Sequence, residues 1–286
     1  MPMQYPKDME IWEYAPGKKL AQVAVRVTNT RGALAKCTEV ISGMDLNILS
    51  GFVTAPSASE VAVMSFFLDA TDSDDLLELK RRLERLEVTE SVDVLTAEEG
   101  LIVDKKHFPV QWAGRKAIIL RADALSEMLS RLRSVFGSGA ATIVDQMGEA
   151  MGKHSAKEMV DDFGREFAVS HIDELLGAYA ALGYADVSIE RRHPAEFPVV
   201  IHARGLFECE ANSKRKVRQR SVFFRAHLRG LMSELFRSEF EVSEAQCITE
   251  GDEACSFRVT VCESPAAPSA SRSGGRKRTT GPLSNF

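Results

Sequence analysis

LAQVAVRV (20–27), NTRG (29–32), ALAKCTEVISG (33–43), LNILSGFVTA (46–55), EVAVMSFFLDA (60–70), DDLLELKRRLERLE (74–87) and VTESVDVL (88–95) follow one another with little between them. The first segment alternates and is rich in β-branched residues, which predicts a strand. In the third, Leu34, Cys37, Val40 and Ile41 recur at helical spacing, and Gly43 ends the run. The next two read as strands around the turn Pro56-Ser57. Asp72, Ser73, Asp74 and Asp75 offer caps for a second amphipathic helix, whose Leu76, Leu79, Leu83 and Leu86 share one face. The last segment closes as a strand. The order is βαββαβ, the pattern of a ferredoxin-like α+β sandwich.

Outward from this unit the chain divides further. Residues 1–17 form a mixed N-terminal segment ending in the turn signal Pro16-Gly17. The unit itself spans 18–97, and 98–112 reads as a linker. A second unit, 113–262, opens with RKAIILRA (115–122), which predicts a short apolar strand. ALSEMLSRLRSVFG (124–137) predicts a helix with Leu125, Met128, Leu129, Leu132, Val135 and Phe136 in one stripe. Residues 139–151 predict another, with Gly148 and Gly152 permitting close packing. Two more helices are expected at 155–169 and 170–183, the latter with Ser170 as N-cap and Asp173 at the capping-box distance. Strands are expected at 185–192 and 198–210, followed by a basic loop at 211–220 and a helix at 222–236. SEAQCITE (243–250), the turn Gly251-Asp252 and CSFRVTV (255–261) predict a hairpin. The tail, 263–286, is rich in Pro, Ser, Gly and Arg, a composition expected to be disordered.

The whole chain has 286 residues, a formal charge of −5 and 44% hydrophobic residues. That length suggests about two domains at roughly 100–200 residues each. The balance is that of a soluble globular protein and excludes collagen-like or wholly disordered classes. No apolar run approaches the roughly 20 residues of a membrane span. The start, MPMQYPKDMEIWEY, has neither a secretory nor a transit-peptide pattern, so the expected compartment is the reducing cytoplasm. There the five cysteines, Cys37, Cys209, Cys247, Cys255 and Cys262, favour metal or reactive thiols over disulfides.

Glu244-x2-Cys247-x7-Cys255 places three ligand types on one hairpin, a set suited to tetrahedral Zn²⁺. Residues three apart face opposite sides of a regular strand, so a bulge or strand end near Ala245 is required.

The first unit resembles an ACT domain, a module that binds amino acids in metabolic enzymes and regulators. The resemblance covers about 20–95. It is carried by the first strand, by Asn29-Thr30-Arg31-Gly32-Ala33-Leu34 and by Gly43-Met44-Asp45-Leu46-Asn47-Ile48. It implies an amino-acid site at Asn29, Arg31, Gly32, Leu34 and Asn47. Gly32 would allow close backbone approach, and the helix start would offer N–H groups to a carboxylate. Asn and Arg stand where the family has Asp and Pro. The other reading is a ligand-free fold used for dimerisation.

The second unit resembles the 4-vinyl reductase domain over about 113–262. The same module is the input domain of aromatic-sensing activators, and its fold is related to subunits of the TRAPP complex. The carriers are Arg229-Gly230-Leu231-Met232-Ser233-Glu234-Leu235-Phe236, Val242-Ser243-Glu244-Ala245-Gln246-Cys247 and Gly251-Asp252-Glu253-Ala254-Cys255-Ser256-Phe257. In the aromatic sensors the Glu/Cys/Cys spacing holds zinc with a further Cys at the start of the preceding helix. The matching position here is Ser221. Cys209, at the end of the preceding strand, is then the natural fourth ligand. Cys262 is a poorer choice, and Cys37 is most simply a core residue. Four protein ligands make the zinc structural, because a catalytic zinc needs an open position. The resemblance further implies a small hydrophobic or aromatic ligand between helices and sheet.

The remaining signals are weaker. None of the six histidines forms a compact ligand motif. His227 reads as partly buried, and His202 is a modest pocket candidate. No nucleotide or kinase motif occurs. The run Lys214-Arg215-Lys216-Val217-Arg218-Gln219-Arg220 reads as a solvated loop, and no direct nucleic-acid or membrane contact is expected. The expected protein is a homodimeric cytoplasmic sensor, more a regulator than an enzyme, signalling to an unidentified protein partner. An enzyme or assembly factor of tetrapyrrole or aromatic metabolism is one alternative, and a ligand-free dimeric adaptor the other.

Overall fold

The computed structural model describes residues 6–55, 59–72, 75–190 and 196–262. Pro56-Ser57, Ser73, Asp74 and the tail lie outside the described residues. The chain divides into two compact units, residues 1–118 and 119–286.

The first unit contains β1 (Trp12–Tyr14), β2 (Leu20–Thr28), α1 (Ala33–Ser42), β3 (Asn47–Thr54), β4 (Val61–Asp69), α2 (Leu76–Glu84), β5 (Thr89–Ala97), β6 (Leu101–Val103), β7 (Gln111–Trp112) and β8 (Arg115–Lys116). Its main sheet has the order β3-β4-β2-β5, antiparallel throughout. With the two helices this is the ferredoxin-like topology. Ala21, Val23, Val25 and Val27 share one core with Cys37 and Ile41 of α1 and with Leu79 and Leu83 of α2. On the other face, Leu20 and Phe67 are covered by Ile102 of β6, which pairs with β1. The N-terminal segment and the linker thus contribute a small sheet, which no sequence pattern announces. The strand expected at 115–122 shrinks to β8. It pairs only with the two-residue β7, and Ile118 beyond it is 82% exposed.

Asp75 caps α2, its carboxylate accepting from the Glu78 N–H at 2.7 Å. Asp75→Ala is expected to cost about 1 kcal/mol, read as a lower denaturation midpoint for the first unit. An unchanged midpoint would show that this cap contributes nothing.

The second unit contains α3 (Ala122–Phe136), α4 (Gly139–Phe163), α5 (Arg165–Ser170), α6 (Ile172–Ala181), β9 (Asp186–Glu190), β10 (Val199–Arg204), α7 (Phe207–Lys214), α8 (Phe223–Phe236), β11 (Phe240–Gln246), a 3-10 turn (Ile248–Glu250) and β12 (Cys255–Val261). The antiparallel sheet runs β11-β12-β10-β9. Its inward residues, among them Val199, Ile201, Ala203, Phe257 and Val259, share a core with Phe224, Leu228, Leu231 and Leu235 of α8.

Four sequence expectations are corrected by this unit. One helix, α4, replaces two, because Gly152 serves packing and the chain turns only at Gly164, with φ 81°. Ser170 does not cap α6: its hydroxyl donates back to the Phe167 carbonyl at 2.9 Å. The strand expected over 198–210 ends at Arg204. Gly205 turns the chain with φ 61°, and acidic Glu208 and Glu210 start a helix that Lys214 finishes, in keeping with the helix dipole. The α3 stripe also splits. Leu129 is buried, whereas Met128, Val135 and Phe136 stay more than half exposed.

Candidate metal centre

The pairing of β11 with β12 slips between Glu244, opposite Phe257, and Gln246, opposite Ser256. Ala245 is the extra residue, so of the bulge or strand end that the spacing allowed, the structure has the bulge. Along β11 the side chains of Phe240, Val242 and Glu244 face inward. The bulge exposes both Ala245 and Gln246 and returns Cys247 to the interior. The 3-10 turn and Gly251, at φ 107°, then bring the chain back to Cys255. Cys209 arrives from α7. The ligand atoms of Cys209, Glu244, Cys247 and Cys255 all lie within 4.8 Å of one another, and all four residues are buried.

The spacing decides what this cluster is. Cys247 Sγ lies 3.7 Å from Cys209 Sγ and 4.0 Å from Cys255 Sγ. A disulfide needs about 2.05 Å, and all five cysteines are free thiols. Zinc–sulfur bonds of about 2.3 Å at tetrahedral angles give a sulfur–sulfur edge of about 3.8 Å. The thiols therefore stand at the spacing of a tetrahedral metal site.

The carboxylate fits the same description. Glu244 Oε2 accepts from the Ser221 N–H at 2.8 Å, whereas Oε1 is buried with no hydrogen-bond partner. An orphaned carboxylate oxygen beside three thiols suits a cation. Burial pushes the Glu244 carboxyl up from its ordinary range. It also pushes the Cys247 thiol up to about 11. Hydrogen bonding with Cys255 pushes the Cys209 thiol up and holds the Cys255 thiol down. Three of the four groups are thus pushed toward their neutral forms, as burial and neighbouring like charges do.

The surroundings supply the compensating groups. Arg220 Nη1 donates to the Glu244 carbonyl at 2.6 Å, and its guanidinium pairs with Glu250 at 2.8 and 2.6 Å. The Cys247 N–H donates to Asp252 at 2.8 Å. Thr249 Oγ1 sits 3.1 Å from Cys247 Sγ and donates to the Gln219 carbonyl. The four residues could hold a metal ion with protein ligands only, which leaves no open position for substrate chemistry.

Glu208 carries no signal in the sequence. It is 1% exposed and sits beside Cys209 on α7. Its Oε1 accepts from the Val222 and Phe223 N–H groups at 3.0 and 3.2 Å and from Arg133 at 2.8 Å. Its Oε2 accepts from the Ser221 hydroxyl at 2.7 Å and the Phe224 N–H at 3.2 Å. It thus satisfies the free N–H groups at the start of α8. An acid next to a cysteine in an expected strand does not stand out, and only recognition of α7 would have raised it.

The other candidates are dispersed. Asn29, Arg31, Gly32 and Leu34 cluster where β2 turns into α1, and Gly32 has φ 83°. The Asn29 amide donates to the Ser59 carbonyl at 3.1 Å. Asn47 pairs with Asp69, which pairs with Leu20, whereas Thr28 pairs with Val61. Asn47 therefore lies at the opposite end of the sheet from Asn29. Cys37 is buried in the first unit's core and Cys262 is exposed. His202 lines an open groove of about 560 Å³ with Ser188, Arg204, Gln246, Asp252 and Glu253. The basic run is largely engaged: Lys214 pairs with Glu210, Arg215 with Glu127 and Arg220 with Glu250.

His227 is 1% exposed, deeper than the sequence suggested. Its Nε2 lies 2.5 Å from the Tyr179 hydroxyl, and burial pushes its pKa down to about 4, so the ring is neutral. Nδ1 is buried with no partner. The rings of Tyr179, Tyr184, Phe223 and Phe224 surround it, with centroids 5.4 to 6.4 Å away.

No family model matches the chain. Over 150 residues, 49% of this chain and 89% of the relative, it is 23% identical to an uncharacterized protein of Methanocaldococcus jannaschii. Three solved structures are similar to parts of it. The phenol-responsive sensory domain of the transcription activator PoxR, with phenol, is 17% identical, with a TM-score of 0.42 over 52% of this chain and 79% of that one. A vinyl-4-reductase family protein from Methanocaldococcus jannaschii is 18% identical, with a TM-score of 0.29 over 52% of this chain and all of that one. The ACT domain from GTP pyrophosphokinase of Chlorobium tepidum is 22% identical, with a TM-score of 0.24 over 27% of this chain and 96% of that one. Among the described residues no helix is long and apolar enough to cross a membrane.

Proposed function

We propose that the chain is a cytoplasmic regulatory protein whose second unit, built around a structural zinc, senses a small aromatic molecule. The observation that carries the zinc is the closed set of Cys209, Glu244, Cys247 and Cys255 with Glu244 Oε1 left unpartnered. The sensing half is supported by His227. A neutral imidazole with an unpartnered nitrogen, ringed by four aromatic side chains, suits an aromatic ligand carrying one hydrogen-bonding group. The ligand would enter by displacing rings that now fill the core, and that repacking is the signal. The output passes to a protein partner or a second copy of the chain. The exposed Met128, Val135 and Phe136, which line an apolar groove on α3, support such a contact.

Native mass spectrometry of freshly purified, unchelated protein is expected to show one zinc per chain. A panel of phenols is expected to raise the melting temperature of wild type and not of His227→Phe. Zinc-free protein would overturn the first half. A panel that stabilises neither protein, or both equally, would overturn the second.

A further inference from the structure

Cys209 is the one ligand that does not come from the β11–β12 hairpin, and α7 bears it on only eight residues. Something must fix the rotation of so short a helix. Neighbouring side chains on a helix diverge by about 100°, so holding one sets the direction of the next. Glu208 is held through both oxygens by four groups of residues 221–224 and by Arg133 of α3.

Ser221 joins the two carboxylates: its N–H holds Glu244 and its hydroxyl holds Glu208. We infer that Glu208 is a positioning residue for the metal site: by capping α8 it locks α7 in the rotation that delivers Cys209, turning a three-ligand hairpin into a closed four-ligand site. This rests on the metal reading above. Ser221 is then a link between carboxylates rather than a ligand, and Glu208 ties metal occupancy to α8 and, through Arg133, to α3.

The test uses full-length protein loaded with Co²⁺, whose thiolate charge-transfer absorption reports the number of sulfur ligands, and competition with a chromophoric chelator for Zn²⁺ affinity. Glu208→Gln puts an amide N–H₂ among donors. It is expected to weaken zinc binding by about 10–100-fold, the usual cost of losing an outer partner. It should also lower the thiolate absorption to the level of Cys209→Ser. In the double variant the two losses should not add, because both act on one ligand. Ser221→Ala, which removes only the hydroxyl that holds Glu208 and keeps the N–H that holds Glu244, should shift both readouts the same way by less, and it carries the test if Glu208→Gln does not fold. Additive losses, or wild-type affinity and absorption in Glu208→Gln, would overturn the inference while leaving the metal site standing. Wild-type protein that takes up neither ion would remove the metal reading itself.

Discussion

On the zinc proposed above, chelation of the purified protein is expected to lower the melting temperature of the second unit by roughly 10 °C or more. The size follows from linkage. A ligand present at about 1,000 times its dissociation constant stabilises the folded state by about 4 kcal/mol, and each kcal/mol moves the midpoint of a domain this size by about 2–4 °C. The four candidate ligands come from α7, β11, the start of the 3-10 turn and β12, so an ion held there would join elements that the local chain does not. Cys247→Ser should reproduce the loss, since it leaves an incomplete set and the orphaned Glu244 oxygen. Cys262 is exposed and lies outside the cluster, so Cys262→Ser should stay within about 0.5 kcal/mol of wild type, as most surface changes do. Lower pH should ease extraction, because the ligands bind as thiolates and protons compete for them. Thermal scans with and without chelator check wild type and both variants. Equal midpoints in the two scans of wild type would mean that the cluster is merely a packed group of thiols.

Only part of the basis for this result was legible in the sequence. Spacing alone placed Glu244, Cys247 and Cys255 together and demanded a bulge or strand end near Ala245, because the period of a strand is strict. The βαββαβ order was legible for the same reason: each segment of 20–95 has a clear period and a clear stop. Cys209 followed from the resemblance, as the substitute for the family's further Cys where this chain has Ser221, but its setting was not legible. GLFECE follows a strand without a proline or a charge run, and its conversion to helix depends on the turn at Gly205 and on the groups that receive Glu208. Those groups come from residues 221–224 and from Arg133 of α3, which no local pattern connects to it. The same limit hid the continuity of α4. Gly148 and Gly152 read as positions for close packing, but only the partner helix shows that α4 runs unbroken through them.

That partner makes Gly152→Ala the second large prediction. At an exposed helical position Gly→Ala stabilises by about 0.5–1 kcal/mol, because alanine restricts the unfolded chain. Gly177, on the exposed side of α6 with nothing within 4 Å of where a Cβ would stand, should show that gain. Gly152 faces α8. A Cβ there would lie 2.0 Å from the His227 carbonyl oxygen and 2.8 Å from the Leu231 nitrogen. Both are backbone atoms of a buried helix, so no side chain can swing aside. A Cβ added at Gly148 would stand 2.3 Å from the Phe223 carbonyl oxygen, and one added at Gly230 would stand 2.2 Å from that of Glu149, so the two helices pack backbone to backbone along the crossing. Relief requires α4 and α8 to part by more than an ångström. That would strain the pairs of Arg229 with Asp145 and Glu149, both at 2.6 Å, and loosen the core beneath α8. Overpacking usually costs about 1–3 kcal/mol and more where the backbone must move, so Gly152→Ala is expected to cost about 3 kcal/mol or more. Because the start of α8 is held by Glu208, the same variant should also weaken zinc binding, whereas Gly177→Ala should leave it unchanged. Denaturation midpoints and chelator competition on the two variants decide the matter. A neutral or stabilising Gly152→Ala would mean that α4 and α8 are not in backbone contact.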